Sequence, residues 1–372
     1  MSGLTIYVER LAGGLASRGH EVTLLTSRHD PALSRTENLD GVDVVRVPVA
    51  LTVAKGAVMP GYPRTAARLA RLHDVVSVHA PQFEAPVLAV AARALRKPCV
   101  LTYHCDVRLP EGALNRMAER AIATANSLTT ALASRVVAYT SDYAKHTPLL
   151  RRAWRKLVVI PPPVEMPLPD PEGVAALRAA HVVTSAGAAG PVLGFAARFA
   201  AEKGVETLLD ALPTLIERFP GLVVLFAGPD ALGEDAYRQR LAPAVAAVGD
   251  RWQALGLLDS TREMPAFYGT VDCLVVPSLN STESFGLVQG EAMLCGTPVV
   301  ASDLPGVREP VRWTGMGEVV PVADARALAD AVGRVLDDPA RYRRSREEVA
   351  QRFGLDACLD RYVALFEDEL AR

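Results

Sequence analysis

Residues Pro277–Ser302 read PSLNSTESFGLVQGEAMLCGTPVVAS, and their reading decides that of the whole 372-residue chain. The apolar run Cys273–Val276 just before them predicts a buried strand. A polar loop follows, a helix is expected from near Phe285 to Leu294, Gly296-Thr297-Pro298 ends it, and a second strand is expected over Pro298–Ala301. Strand, loop, helix and strand in that order form the repeating unit of a parallel α/β sheet. Ligands of such sheets sit beyond the carboxyl ends of the strands, where this loop lies. The N–H groups of Ser284, Phe285, Gly286 and Leu287 open the expected helix without intrahelical partners, and with the helix dipole they suit an anion such as phosphate. Glu283 stands in the loop and Glu291 about two turns into the expected helix. Near phosphate both carboxylates are repelled unless they accept hydrogen bonds from hydroxyls. The plainer reading makes Glu283 an acid at a helix N-terminus and Glu291 a solvated helix residue.

A second stretch has the same form. In GFAARFAAEKG, Gly194–Gly204, a strand runs into a loop carrying Arg198 and Lys203. Both cations should emerge at a strand's carboxyl end, where Arg clamps phosphate bidentately and Lys adds a point charge. The plainer reading is a surface Arg and a capping Lys.

Alternation continues in both directions. Strands are expected at Val22–Thr26, Val42–Val47, Val75–Val78, Cys99–Tyr103, Arg135–Tyr139 and Leu157–Ile160, with helices including Phe83–Leu95, Gly112–Ala131 and Ser141–Leu150. Pro161-Pro162-Pro163 suits neither helix interior nor central strand, and the Pro-, Ala- and Gly-rich segment to Gly190 reads as a linker with one helix, Pro171–Ala180. Strands at Val192–Ala197, Leu222–Ala227 and Trp252–Leu255 and helices at Val205–Phe219, Glu234–Val248 and Arg262–Tyr268 then restart the series; the tail from Asp324 reads as helical. The fold class is therefore α/β, with two Rossmann-like domains expected to face each other across a cleft. The boundaries are 1–162, 163–354 and a C-terminal helix, 355–372, expected to cross back to the first domain.

Composition narrows the function. Half the residues are apolar and the net charge is −2, which offers nothing to a nucleic acid. The five cysteines form no C-x-x-C pair, so neither a zinc site nor a disulfide framework is expected, and a cytoplasmic protein is the default. No G-x-G-x-x-G follows a strand, which argues against an NAD dehydrogenase. Arg151-Arg152-Ala153-Trp154-Arg155-Lys156 reads either as a solvated helix end or as a peripheral contact with a membrane surface.

The combination of Arg198 and Lys203 in ARFAAEKG, Glu283-Ser-Phe-Gly-Leu-Val-Gln-Gly-Glu291 as an E-x7-E motif, and Gly296-Thr-Pro-Val-Val resembles the retaining glycosyltransferases of family 4, of GT-B type. RGHEVTLLT at Arg18–Thr26 and VVIPPPV at Val158–Val164 are similar to the family as well. The resemblance implies transfer of a sugar from a nucleotide-diphosphate sugar, UDP or GDP being expected, to an acceptor that is lipid-linked, a saccharide or a small molecule. No cofactor and no metal are implied, and no D-x-D occurs in the chain. Arg198 and Lys203 would hold the diphosphate, Glu291 the ribose hydroxyls, and Glu283 hydroxyls of the transferred sugar. The N–H groups of Phe285, Gly286 and Leu287 would meet sugar or phosphate, and His104 in LTYHCDV would face the donor sugar, with Asp106 a weaker candidate.

The beginning departs from that pattern. Leu4, Val8, Leu11 and Leu15 mark a helix that ends near Gly19. Family members place a buried strand and a glycine loop before it, and only Gly3 falls at the end of that loop. The Gly13-Gly14 pair lies within the helix and is not a phosphate loop. The expectation is an N-terminal domain without its leading strand, Met1 an internal start, and roughly 15–25 further residues upstream. A catalytically weak sugar-nucleotide-binding protein is the alternative on that ground.

Overall fold

The computed structural model describes residues 3–53, 56–109, 112–182, 190–229 and 235–372. Met1 and Asp230 lie outside the described residues. The chain divides into two compact units, Met1–Pro163 with Leu355–Arg372, and Val164–Gly354.

The first unit carries β1 (Val22–Arg28), β2 (Thr36–Leu39), β3 (Val42–Pro48), β4 (Leu51–Val53), β5 (Gly56–Val58), β6 (Val76–Ala80), β7 (Cys99–Tyr103), β8 (Arg135–Ala138) and β9 (Leu157–Val159). They form three separate sheets among the described residues: β1-β3-β2, the β4-β5 hairpin, and the all-parallel β6-β7-β8-β9. Every residue of β7 is buried, whereas every residue of β1 is only half-buried. The short β2 went unread because TENL is polar and three of its four residues are exposed. The helix expected over Ser141–Leu150 is two helices, Ser141–His146 and Pro148–Arg152, because the residue before a proline avoids helical geometry.

Helix Gly3–Ser17 contains both Gly13 and Gly14. Its buried face is Tyr7, Leu11, Ala12 and Leu15; Leu4 is exposed. Tyr7 replaces Leu4 because its hydroxyl meets that of Tyr362 at 2.6 Å, and Tyr362 in turn meets Thr102 Oγ1 at 2.8 Å. Helix Leu355–Leu370 thus belongs to this unit. A Cβ on Gly14 would stand 2.6 Å from Leu359 Cδ1, so the glycine admits that helix.

The second unit carries β10 (Val192–Ala196), β11 (Val223–Ala227), β12 (Trp252–Gly256), β13 (Cys273–Val276), β14 (Val299–Ser302) and β15 (Gly317–Val320). One parallel sheet joins them in the order β12-β11-β10-β13-β14-β15. Strands β10, β11, β13 and β14 are buried throughout, and Leu193, Phe195, Leu208, Leu212, Val224 and Val332 lie in the main core. The segment read as a linker is largely part of this unit: helix Pro171–His181 packs on helix Glu263–Thr270, and Arg178 donates to Thr270 O and Asp272. The tail is three α-helices, Ala325–Asp337, Arg346–Phe353 and Leu355–Leu370, with a 3-10 turn at Pro339–Tyr342 after the first and a capping box of Ser345 and Glu348 opening the second.

Candidate active site

Strand order creates the site. From β10 the chain first adds strands on one side, β11 and β12, then returns to the other side of β10 to lay down β13. Leu193 pairs with Cys273 and Gly194 with Leu274. The carboxyl ends of β10 and β13 are therefore neighbours at a topological switch point, where open α/β sheets form their ligand crevice. The loop after β10 carries Arg198 and Lys203, and that after β13 carries Glu283.

The two loops are tied together. Leu279 N–H donates to Glu202 O at 2.9 Å. Gly204 has φ +72°, and a Cβ there would stand 2.0 Å from Pro277 O, so only glycine lets the two backbones approach. Asn280 Oδ1 accepts from Thr282 N–H and Oγ1, which shapes the second loop. Phe285 anchors its end: it is 1% exposed and packs against Trp313 and Phe353.

The cations are not bare. Lys203 Nζ donates to Glu283 Oε2, with both side chains 22% exposed. Arg198 donates to Glu202 Oε1 at 2.6 Å. Glu202 is a site residue that sequence reading missed; its i, i+4 spacing from Arg198 was the available signal, hidden because no long helix spans it. Glu283 Oε1 also accepts from Gly286 N–H at 3.0 Å. A carboxylate offers about four acceptor positions, so Glu283 keeps capacity for ligand hydroxyls.

Three expectations are corrected. The helix starts at Leu287, two residues later than expected, because Gly286 takes the left-handed conformation (φ +77°) at its N-cap. Glu291 is consequently about one turn into the helix rather than two. The Gly286 N–H serves Glu283 instead of standing open for an anion, while Leu287 and Val288 in the first turn remain partly exposed. Glu291 is no solvated residue: it is 6% exposed and its Oε2 accepts from Tyr268 OH at 3.0 Å. Ser284 is buried as well.

His104 belongs to the first unit. It follows β7 directly and is 4% exposed rather than an open loop residue. Its Nε2 lies 2.9 Å from His79 Nδ1, and its Nδ1 meets Tyr139 OH. Tyr7 packs edge-on against the His104 ring at 4.8 Å between centroids. Burial, and secondly His79, hold the His104 imidazole well below its ordinary value; burial lowers His79 to about 4. Register places this pair: His79 sits opposite Thr102 on the neighbouring strand, two residues before His104. Asp106 accepts from Tyr103 OH, and its N–H donates to Tyr143 OH, both at 2.8 Å. Gly3 is exposed and opens its helix.

Comparison with known proteins places the chain in a family. Residues 1–166 match the model described as Glycosyltransferase Family 4, and residues 190–338 that described as Glycosyl transferases group 1. The chain is 31% identical to a 2-deoxystreptamine N-acetyl-D-glucosaminyltransferase of Streptomyces fradiae, covering 93% of this chain and 85% of that one. It is 28% identical to a phosphatidyl-myo-inositol mannosyltransferase of Mycolicibacterium smegmatis, covering 90% and 81%. Among solved structures, Anabaena HepE with UDP-glucose superposes with a TM-score of 0.77 at 20% identity, covering 99% of this chain and 96% of that chain. Sucrose-phosphate synthase from Thermosynechococcus elongatus does so with 0.75 at 24%, covering 100% and 94%. The chain belongs to glycosyltransferase family 4, and its two Rossmann-like domains are those of the GT-B fold.

Proposed function

We propose that this glycosyltransferase is a retaining enzyme that moves a sugar from a nucleotide-diphosphate sugar, UDP or GDP, to a hydroxyl of a cyclitol-type acceptor. The observation that carries the reading is the convergence of Arg198, Lys203 and Glu283 at the switch point between β10 and β13. As the bond from anomeric carbon to phosphate oxygen breaks, the sugar gains oxocarbenium character and the diphosphate gains negative charge. Arg198 and Lys203 would exchange Glu202 and Glu283 for the diphosphate, and so favour the transition state over the ground state. Glu283, released from Lys203, would accept from hydroxyls of the transferred sugar. Glu291 would accept from the ribose hydroxyls. The leaving phosphate would take the acceptor's proton on the face it departs from, giving retention. No cofactor is required in this scheme, and the two cations do the work that a divalent metal would otherwise do.

The acceptor class is drawn from relatives named for 2-deoxystreptamine, D-inositol 3-phosphate and phosphatidyl-myo-inositol, all six-membered polyhydroxylated carbocycles. A transfer assay with UDP- and GDP-sugars on myo-inositol and 2-deoxystreptamine tests this, and NMR of the product's anomeric proton reads the stereochemistry. An inverted product or a strict requirement for a divalent ion would refute the scheme.

A further inference from the structure

The first unit holds an open cavity of about 510 Å³ that the transfer chemistry does not use. It lies at the amino ends of β7 and β8, the opposite end of β7 from His104. Its lining includes Arg93, Arg96, Lys97 and Lys156, together with Cys99 and Ser134, and contains no carboxylate. The four cations come from two stretches, the end of helix Ala85–Ala94 with the residues after it, and the turn Trp154–Lys156.

Two of the cations have a structural task. Lys97 Nζ donates to Arg71 O and His73 O, and Lys156 Nζ donates to Ala131 O and Ala133 O at 2.8 Å. These carbonyls lie at or just past helix ends, groups that lack intrahelical partners. Carbonyls fix the ammonium groups without cancelling their charge. The guanidinium groups of Arg93 and Arg96 have no ion-pair or hydrogen-bond partner among the described residues. Arg96 moreover has φ +54° just past its helix, where glycine is the less strained choice. Dipole compensation alone does not account for the set. Three helix C-termini, those of Tyr62–Leu72, Ala85–Ala94 and Ala113–Leu132, contribute about half a negative charge each, against four positive charges. The surplus suits a dianion or trianion.

We infer that this cavity binds a phosphate-bearing anion, of a phosphomonoester or diphosphate class, with Arg93 and Arg96 gripping its oxygens and Lys97 and Lys156 supplying fixed charge. Arginine's planar fork matches phosphate bidentately. The group belongs either to a soluble phosphorylated molecule or to a lipid head group; Trp154, 46% exposed beside Lys156, is placed for the second.

The test uses the full chain in an Arg198→Ala/Lys203→Ala background, which removes both cations of the donor rim. Calorimetry with pyrophosphate and sedimentation with phosphatidylcholine vesicles, with and without phosphatidylglycerol, are compared before and after Arg93→Gln/Arg96→Gln. Both arginines are exposed, and an unchanged melting temperature confirms folding. Arg93→Lys/Arg96→Lys, which keeps charge but not the fork, provides a second variant. A roughly tenfold loss of pyrophosphate affinity in the Gln pair, and a smaller loss in the Lys pair, supports a soluble ligand. Loss of binding to anionic vesicles with no pyrophosphate binding supports a head group. Absence of binding to either probe, or binding that neither pair of substitutions alters, overturns the inference.

Discussion

The two units are built from the same alternation of strand and helix, yet they hold their polar groups in opposite ways. The second unit has one six-stranded sheet whose four inner strands are buried throughout, and Arg198, Lys203 and Glu283 stand on loops at its rim. The first unit divides its strands among three sheets, leaves β1 half-buried, and holds one histidine pair, His79 and His104, inward and bonded to each other. A continuous sheet supplies rigid backbone beneath ion pairs that stay partly exposed. A buried histidine pair is set by its surroundings and responds to pH instead.

The contrast can be broken at several points. Arg198→Ala should lower kcat roughly 10²–10³-fold, by analogy with removing one donor to a developing oxyanion. The melting temperature should stay nearly constant, since the Arg198–Glu202 pair is too exposed to stabilise much. Steady-state kinetics and a thermal melt separate the two, and a large fall in melting temperature would show the rim to be structural. Gly204→Ala should cost about 3 kcal/mol, because it combines a left-handed φ with a backbone clash against Pro277 O. Denaturant unfolding reads this loss, and a cost below about 1 kcal/mol would mean that the two loops are not locked together.

On the other side of the comparison, acid should weaken the first unit. His79 and His104 titrate near 6.5 when unfolded, and His79 near 4 and His104 well below 6.5 when folded. Between those values the unfolded chain binds more protons, so stability falls as pH falls through the window and is fully present above it. His79 alone should account for a loss of roughly 2 kcal/mol between pH 7 and pH 5, and His79→Gln should make the profile shallower. Tyr362→Phe should cost about 1–2 kcal/mol, since Tyr7 and Thr102 lose a buried hydroxyl partner. A neutral outcome would show that water replaces that hydroxyl.

Much of the fold was legible because the relevant signals are local. Cys99–Tyr103 and Cys273–Val276 were readable to the residue as short apolar runs between polar stretches. The misses were elements without apolar contrast or without length, such as β2 and β15. Of the site, the cations and carboxylates were legible through their positions after strands. Their pairing was not. Lys203 and Glu283 lie 80 residues apart, and nothing in either stretch names the other.

Sequence by itself determined the alternating series, the loops that carry Arg198, Lys203 and Glu283, the helix that carries Glu291, and the resemblance that joined them. Periodicity and turn chemistry act over a few residues, so one chain displays them directly. Tertiary structure decided which strands are neighbours, and so brought the loops after β10 and β13 together. It also decided that Glu291 is buried, that His104 meets His79, and that four cations from two distant stretches share one cavity. Those outcomes depend on strand order and packing of distant segments, which local pattern leaves open.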